Sequence, residues 1–503
     1  MSLPGRAHRR SRAACLTAAG QSAGQARRPQ PVGPLIGAIW LAGFLVSIDY
    51  TALNVALPTL AASFAVGTSA VSWVALVYML VIVALTPVTG HVIARVGSRP
   101  ALVGGLAVFA AASLASAAAP NLAVLVAMRA LQGIGASVMF VIGPALIKTE
   151  VAKAAQDRAF AVYSTGPTAG LCAGPAIGGQ LTAMFSWHAV FLFNLPVVVL
   201  TLILLRWAGR QTRDANGQGS LSEAPMPRLA VVACAVGSLS ALLLALNQGE
   251  EWGWRSPCIL ALFCASGIGG VAVAALERGA ATPLFDREVL RSKDFAAAAA
   301  AFLLVLGVFG GNTFLLPFYF EWLRKADPAS VGHLLAIQPV ATIIISNLAG
   351  WCFAATSRRR LCLIGIVLFA AGVAIFAAAG RDDPLLVPIA GLCLMGSGAG
   401  LYYPSLMQAS MAGVPGRLAA PAASLQTAVR VLAQLLGVVV FETIFARLYP
   451  AALDLGHADA VGASRAPIQL AFHWMFWCGT AIAALALLPA FQLGRATEPE
   501  AER

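Results

Sequence analysis

The amino-acid sequence predicts an all-α integral membrane protein with fourteen transmembrane helices. Three observations lead to this fold class: a strongly apolar composition, fourteen apolar stretches of spanning length, and basic residues concentrated in alternate connections. Of the 503 residues 59% are hydrophobic and 11% are charged, and the mean hydropathy is +0.81. Soluble domains carry about 25% charged residues, so this chain is polytopic.

Each predicted helix is an apolar stretch close to the roughly 20 residues that cross a hydrocarbon core of about 30 Å. In chain order the stretches are 35–57, 70–91, 101–119, 122–146, 159–181, 188–206, 229–249, 257–276, 296–320, 329–353, 361–380, 384–409, 419–445 and 468–492.

The basic residues predict the orientation. With the N-terminus inside, the inner segments contain 25 Lys and Arg residues and the outer loops contain six, while Arg129 and Arg430 lie within predicted helices. Because inner loops of membrane proteins are enriched in Lys and Arg, both termini are expected in the cytoplasm. The net charge of +12 is therefore interpreted as membrane topology, and no nucleic-acid partner is expected.

Polar segments divide the chain. Residues 1–33 contain six arginines, no acid and no apolar signal core, which favours a basic cytoplasmic tail, with a transit peptide as the alternative. Residues 207–228 are rich in Gly and Ser and are expected to form a flexible cytoplasmic linker. A weak repeat relates 90–99 to 350–359, each with a glycine at a helix end and basic residues further on. The repeat indicates two related halves, as in many transporters.

One acid lies deep in the first predicted helix, in the segment V-S-I-D-Y-T-A-L-N-V-A-L-P. A charged Asp at the bilayer centre costs roughly 2.5 to 3.5 kcal/mol on insertion scales. Such residues usually face a water-filled cavity, titrate, or pair with a cation. Asp49 is therefore the first candidate for a functional residue.

The fifth predicted helix contains G-L-C-A-G-P-A-I-G-G. Gly170, Gly174 and Gly178 are four residues apart, so they lie on one helix face and allow close approach of another helix. Pro175 has no N–H and is expected to kink this helix. A general small-residue packing face is the simpler alternative.

These motifs carry a family resemblance. The run G-x-x-x-G-P-x-x-G-G, which includes Gly179, resembles the antiporter motif of the major facilitator superfamily, and I-D-Y-T-A-L-N-V-A-L-P resembles the signature of its drug:proton antiporters. The segments R-A-L-Q-G-I-G-A-S, W-H-A-V-F-L-F-N-L-P, G-E-E-W-G-W and R-V-L-A-Q-L-L-G are similar to segments of the fourteen-helix drug-efflux branch. The resemblance covers nearly all of 34–492.

The resemblance implies a division of the chain into domains. It implies two six-helix bundles joined by two extra helices. The expected domains are the tail 1–33, an N-terminal bundle 34–206, the linker 207–228, the extra helices 229–276, a C-terminal bundle 277–494 and a cytoplasmic tail 495–503.

The inner loop after the second helix departs from the family pattern G-x-x-x-D-R-x-G-R-R/K. Gly90, Arg95, Gly97 and Arg99 match this gate-loop motif, but Ala94 and Ser98 replace its acid and one basic residue. In the family that acid belongs to a charge-and-dipole latch between the halves. A different or weaker cytoplasmic gate is therefore expected here.

Arg129 is the expected partner of Asp49, because the two residues lie at similar depths when the rise of 1.5 Å per residue is counted along antiparallel helices. A neighbouring cation favours the ionised carboxyl group, whereas burial favours the neutral acid. We expect Asp49 to carry the coupling proton and Arg129 to tune it. A static buried ion pair is the alternative.

Further polar residues are expected to line a substrate cavity. Gln132 lies one turn beyond Arg129, and Asn54 lies five residues after Asp49; helix–helix hydrogen bonds are the alternative for both. Arg430 and Gln434 share a face of the thirteenth helix, although Arg430 could instead extend to the inner surface. Glu321 and Glu442, near outer helix ends, are expected at the membrane interface.

Several functions lack their sequence signatures. The six histidines and nine cysteines show no H-E-x-x-H or C-x-x-C spacing, so no metal and no cofactor are expected. There is no G-x-x-x-x-G-K-[ST], so no P-loop nucleotide site is expected. The sequence contains no cluster of catalytic residues that would indicate an enzyme.

The sequence thus predicts a proton-coupled exporter in the bacterial inner membrane that works by alternating access as a monomer within the lipid bilayer. The resemblance implies amphipathic drugs or toxic organic compounds as substrates. An exporter of a specific metabolite, such as an amino acid or a siderophore, and an uncoupled facilitator of the same fold are the alternatives.

Overall fold

The chain forms fourteen long helices in the computed structural model, which describes residues 32–151, 153–208, 229–278, 289, 291–352, 357–381, 383–412, 414, 419–449 and 465–493. Residues 1–31 of the expected N-terminal tail, 209–228 of the expected linker and the expected C-terminal tail lie outside the described residues, and the first helix already begins at Val32. The helices are α1 Val32–Phe64, α2 Thr68–Val96, α3 Ser98–Ala117, α4 Leu122–Glu150, α5 Lys153–Phe185, α6 His188–Trp207, α7 Leu229–Asn247, α8 Pro257–Glu277, α9 Lys293–Phe318, α10 Pro328–Cys352, α11 Arg358–Ala378, α12 Leu386–Ala412, α13 Ala419–Leu448 and α14 Arg465–Leu485.

Short helical pieces extend this set. A break at Phe193 divides α6, a π-helical turn Tyr319–Leu323 continues α9, and single turns Gly249–Trp252 and Leu487–Ala490 follow α7 and α14. Helices satisfy their own backbone hydrogen bonds, which a bilayer core requires. Several begin at side-chain caps: Asn121 accepts from the Val124 amide at 2.9 Å, and Ser256 precedes Pro257 at the start of α8.

Thirteen of the fourteen helices are apolar and long enough to cross a membrane within the described chain. The exception by composition is α5, whose five glycines and the prolines Pro167 and Pro175 lower its hydropathy. These residues serve close packing and not lipid contact, as the site geometry shows below. The helix runs unbroken from Lys153 to Phe185 through both prolines.

The helices pack as two halves with the same plan. In the N-terminal half α1 packs on α5, and α4 packs on α2 and α3; in the C-terminal half α9 packs on α13, and α12 packs on α10 and α11. The halves meet through α5 with α10 and through α2 with α13. The repeat relates each helix of the first half to the helix eight positions later, so α2 corresponds to α10 and α5 to α13. The two contacts between the halves are therefore equivalent, which is the pattern of an internal two-fold repeat.

The two extra helices lie at the side of this arrangement. They pack on each other, and α7 also packs on α2 and α13. Only 11% of the most apolar window of α8 is buried, against 61% for α1 and α9. Apart from its contact with α7, α8 is therefore left largely uncovered by the protein, whereas α1 and α9 are well enclosed.

The halves touch at one end of the bundle, which we call the closed end; it is where α1 ends and α2 begins. There the Pro175 carbonyl and Gly179 of α5 meet Gly332 of α10. On the other side Thr68 of α2 donates a hydrogen bond to Glu442 of α13 at 3.2 Å.

Candidate proton-coupling and substrate site

Asp49 and Arg129 form a buried ion pair inside the N-terminal half. Arg129 Nη1 lies 2.6 Å from Asp49 Oδ2, and the two side chains are 0% and 1% exposed. They come from α1 and α4, which run in opposite directions and carry the two charges at the same depth. A charge pair this deeply enclosed depends on further hydrogen bonds to offset its desolvation.

Asp49 receives those hydrogen bonds from two amides. Gln132 Nε2 donates to Asp49 Oδ1 at 2.8 Å, and Asn194 Nδ2 donates to the same oxygen at 2.7 Å. Ser113 Oγ accepts from both amides, at 2.9 and 3.3 Å. We call Asp49, Arg129, Gln132, Asn194 and Ser113 the Asp49 cluster; it joins α1, α3, α4 and α6.

All groups that contact Asp49 in this cluster donate hydrogen bonds. A carboxylate has only acceptor sites, so it matches three donors, whereas a protonated carboxyl group would direct its own hydrogen at one of them. The arrangement therefore suits the ionised form of Asp49.

Arg129 makes a second set of contacts with α2 and within α4. Its Nε donates to the Val74 carbonyl at 3.1 Å and its Nη1 to Gln132 Oε1 at 2.7 Å. The guanidinium carbon lies 4.0 Å from the centre of the Tyr78 ring, a cation–π distance. Arg129 Nη2 is buried without a hydrogen-bond partner among the described residues. The cation thus keeps one donor unused.

The glycine motif of α5 has two faces, each of which packs on a different helix. A Cβ on Gly170 would lie 2.5 Å from the Phe44 carbonyl oxygen, and one on Gly178 would lie 2.5 Å from Ala52 Cα. A Cβ on Gly174 would overlap Thr51 Oγ1. This face holds α5 against the part of α1 that carries Asp49.

The other face of the motif meets the opposite half. Gly179 packs on Pro328 and Gly332 of α10, and the Pro175 carbonyl packs on Gly332. One helix thus contacts both the α1 segment that carries Asp49 and α10 of the opposite half.

The expected cavity residues are not gathered at one place. Gln132 belongs to the Asp49 cluster, whereas Asn54 lies further along α1, 3% exposed, with Nδ2 unpartnered among the described residues. Arg430 lies in the C-terminal half, 4.9 Å from the centre of the Tyr403 ring and 3.7 Å from Met407 Sδ. Gln434 is half-buried one turn beyond, and its backbone packs on Gly310 of α9.

Two buried amides of the C-terminal half escaped the sequence analysis. Asn312 of α9 is 1% exposed and Gln338 of α10 is 7% exposed. Within the described chain, neither side-chain polar atom of Asn312 has a partner, and Gln338 Nε2 has none. Sequence inspection singles out charges in apolar helices more readily than amides, which is why Asn194, Asn312 and Gln338 were missed.

The gate loop forms a one-residue turn between α2 and α3. Gly97 has φ +94°, a value that L side chains rarely adopt. Arg99 donates to both carboxylate oxygens of Glu150 at the end of α4, at 2.6 to 3.0 Å. Arg95 is exposed in the last turn of α2, and Gly90 lies within α2. The retained Arg99 thus fastens the loop to α4 of its own half.

Glu442 is enclosed by protein, because it is 1% exposed and contacts Thr68 and Asn247. Helices α2 and α7 cover this end of α13. Its expected place near the membrane interface stays a prediction. Glu321 lies in the π-helical turn, with Oε2 buried and unpartnered among the described residues.

Comparison with known proteins decides the family. The model of the Major Facilitator Superfamily matches residues 39–438. The chain belongs to the major facilitator superfamily. Like other members it is a transporter and not an enzyme, and its fourteen helices and its relatives are consistent with the fourteen-helix drug:proton antiporter branch.

Relatives within the superfamily differ in their named roles. The chain is 27% identical over 413 residues to the multidrug resistance protein Stp of Mycobacterium tuberculosis, covering 82% of this chain and 75% of Stp. It is 25% identical over 412 residues to the riboflavin transporter RibZ of Clostridioides difficile, covering 80% and 86%. The fold matches that of a bacterial homologue of the lysosomal transporter Spinster in an inward-facing, occupied conformation, with TM-score 0.63, 14% identity, and coverage of 92% and 97%.

Proposed function

We propose that this superfamily member is a proton-coupled exporter of amphipathic organic compounds and that Asp49 carries the coupling proton. The observation that carries the proposal is the Asp49–Arg129 pair, at 2.6 Å and almost without solvent exposure. A buried carboxylate in a membrane helix that touches a cation and two amides is costly, and such groups mark ion pathways in transporters.

The coupling follows from the geometry of the Asp49 cluster. In the present conformation three donors hold Asp49 as a carboxylate. When the halves rock, α10 displaces α5 at Gly179, and α5 displaces α1 at Gly170, Gly174 and Gly178. A shift of α1 that separates Asp49 from Arg129 leaves a buried, poorly paired carboxylate, which then binds a proton.

Substrate contacts are assigned to buried amides and one cation near the axis. Asn54, Asn312 and Gln338 have unused donors or acceptors, and Arg430 stands beside the Tyr403 ring. Aromatic and amide groups fit compounds with an apolar body and a few polar atoms. Relatives named multidrug resistance proteins support this substrate class.

A narrow metabolite exporter is the second candidate, because RibZ, a relative over 80% of this chain, is named for a single vitamin. An uncoupled facilitator of the same fold is the third. Transport of many unrelated compounds supports the first candidate, transport of one compound supports the second, and flux without proton movement supports the third.

The test uses everted membrane vesicles with an imposed inside-acid pH gradient and a panel of lipophilic cations and neutral drugs. Substrate-dependent loss of the gradient is expected for the wild-type protein and for Asp327→Asn, because Asp327 is an exposed cap of α10 outside the cluster. Asp49→Asn should abolish the response, since the amide cannot exchange a proton. Equal responses of Asp49→Asn and wild type would move the proton to another residue.

A further inference from the structure

The closed end contains a second buried polar cluster, made by three parts of the molecule. Thr68, Ser69, Ser72 and Trp73 come from α2, Asn247 from the end of α7, and Glu442 and Thr443 from α13. We call these seven residues the Glu442 cluster. It lies where the N-terminal half, an extra helix and the C-terminal half meet.

Asn247 ties α7 to the N-terminal half. Its Oδ1 accepts from Trp73 Nε1 at 2.7 Å and from Ser69 Oγ at 3.3 Å. Its backbone carbonyl accepts from Ser69 Oγ at 3.2 Å, and its Nδ2 donates to Ser72 Oγ at 3.1 Å. Three α2 side chains, Ser69, Ser72 and Trp73, therefore hydrogen-bond to one α7 residue.

Two α13 side chains, Glu442 and Thr443, connect the C-terminal half to this unit. Glu442 accepts from Thr68 Oγ1 at 3.2 Å and from Asn247 Nδ2 at 3.4 Å, and Thr443 Oγ1 donates to the Leu246 carbonyl at 3.0 Å. On the α2 side the Trp73 Nε1 bond to Asn247 is 2.7 Å long, shorter than either bond to Glu442. The bonds of Glu442 and Thr443 are therefore the ones that cross from the C-terminal half to α2 and α7.

We propose that the Glu442 cluster is a latch that holds the closed end shut, and that α7 is its middle piece and moves with the N-terminal half. The two extra helices then take part in gating through Asn247 and are not a passive insertion. The proposal rests on alternating access as part of the proposed function, but it does not require proton coupling or any particular substrate.

The latch has a counterpart on the opposite side of the same end. There α5 and α10 touch through Gly179 and Gly332 by close packing of small residues. Because rigid halves separate as units, release of the Glu442 cluster exposes the ends of α5 and α10 as well. Separation of the halves therefore exposes the α5–α10 contact, whereas local unfolding around Glu442 leaves that contact unchanged.

The test is amide hydrogen exchange by mass spectrometry on the purified full chain in lipid nanodiscs. Two variants weaken the latch: Glu442→Gln replaces a carboxylate with two acceptor oxygens by an amide with one, and Thr443→Val removes the bond to Leu246. Thr480→Val is the matched control, because Thr480 Oγ1 bonds only to Phe476 within α14 among its recorded hydrogen bonds.

The expected result for Glu442→Gln is about tenfold faster exchange in 175–185 and 328–339. This corresponds to the loss of one hydrogen bond to a charged group. Thr443→Val should act in the same direction and Thr480→Val should match wild type. Exchange around Ser69, Ser72 and Asn247 should stay slow, because α7 remains on α2.

Unchanged exchange at the ends of α5 and α10 in both latch variants would overturn the proposal. Faster exchange confined to α7 would overturn the assignment of α7 to the N-terminal half. Neither result bears on Asp49, since the vesicle experiment measures proton movement and this one measures opening. Failure of one proposal is thus distinguishable from failure of the other.

Discussion

At Asp49 and Arg129 the chemistry depends on how many partners each charge has. Asp49 receives three donors, and Arg129 combines an ion pair, two further hydrogen bonds and a face-on contact with Tyr78. The planar guanidinium reaches these groups at once, which an ammonium group cannot do. Arginine is therefore required for geometry as well as for charge.

We expect Arg129→Lys to lower the free energy of unfolding by about 2 kcal/mol, because a buried charge keeps its partner but loses hydrogen bonds and the ring contact. The thermal unfolding midpoint in detergent measures this change. Arg95→Lys, at an exposed position of α2, is the control and should leave the midpoint unchanged. An equal shift in both variants would contradict the argument.

Asn194 is a second residue that acts on Asp49 because of where α6 places its side-chain amide. Asn194→Ala removes a 2.7 Å hydrogen bond to Asp49, which typically contributes about 1.5–3 kcal/mol when one partner is charged. We expect a lower unfolding midpoint and proton-coupled transport with an altered pH profile. A transport profile identical to wild type would show that Asn194 supports only the fold.

At the scale of elements, the packing of α5 on α1 decides whether Asp49 can respond to the other half. The helices approach so closely that Thr51 Oγ1 donates to the Gly170 carbonyl at 3.3 Å. Any side chain at Gly174 would meet Thr51. The glycines act by letting two backbones touch, so their loss changes spacing and not chemistry.

Gly174→Ala should therefore destabilise the protein by about 1–3 kcal/mol, the usual cost of overpacking. Gly104→Ala in α3 makes the same chemical change where nothing lies within 4 Å, and alanine favours helix there. We expect the control to be neutral or slightly stabilising in thermal unfolding. Equal unfolding midpoints for Gly174→Ala and Gly104→Ala would show that α1 and α5 can move apart without loss of stability.

For the whole molecule, the distribution of basic residues predicts which end faces the cytoplasm. Because 25 basic residues fall at one side and six at the other, the closed end is expected outside. With that orientation, the contacts of α5 with α10 and of α2 with α13, which lie at the closed end, are expected at the outer side. On that expectation, the conformation is closed toward the outside.

Orientation is testable with a membrane-impermeant thiol reagent in a background without native cysteines. Ser186→Cys, in the turn between α5 and α6, should react in intact cells, whereas Ser98→Cys, at the start of α3, should react only in everted vesicles. Reaction of Ser98→Cys in intact cells would reverse the topology. It would also place the Glu442 cluster on the cytoplasmic side.

The sequence by itself determined the helices, their number and the two intramembrane charges of the N-terminal half. Apolar runs of spanning length have one stable form in a bilayer, and Asp49 and Arg129 stand out because charge is rare there. It also indicated the close-packing face Gly170–Gly178, since a four-residue period in a helix puts small residues on one side.

Only the tertiary structure decided which polar residues act together. Asn194 and Ser113 meet Asp49 across helices that are distant in sequence, and no local pattern encodes that meeting. Glu442 of α13 is buried and contacts both the N-terminal half and an extra helix because α2 and α7 cover it. Helix formation depends on local apolar pattern, whereas a polar cluster depends on how rigid helices pack, and that packing is a property of the whole chain.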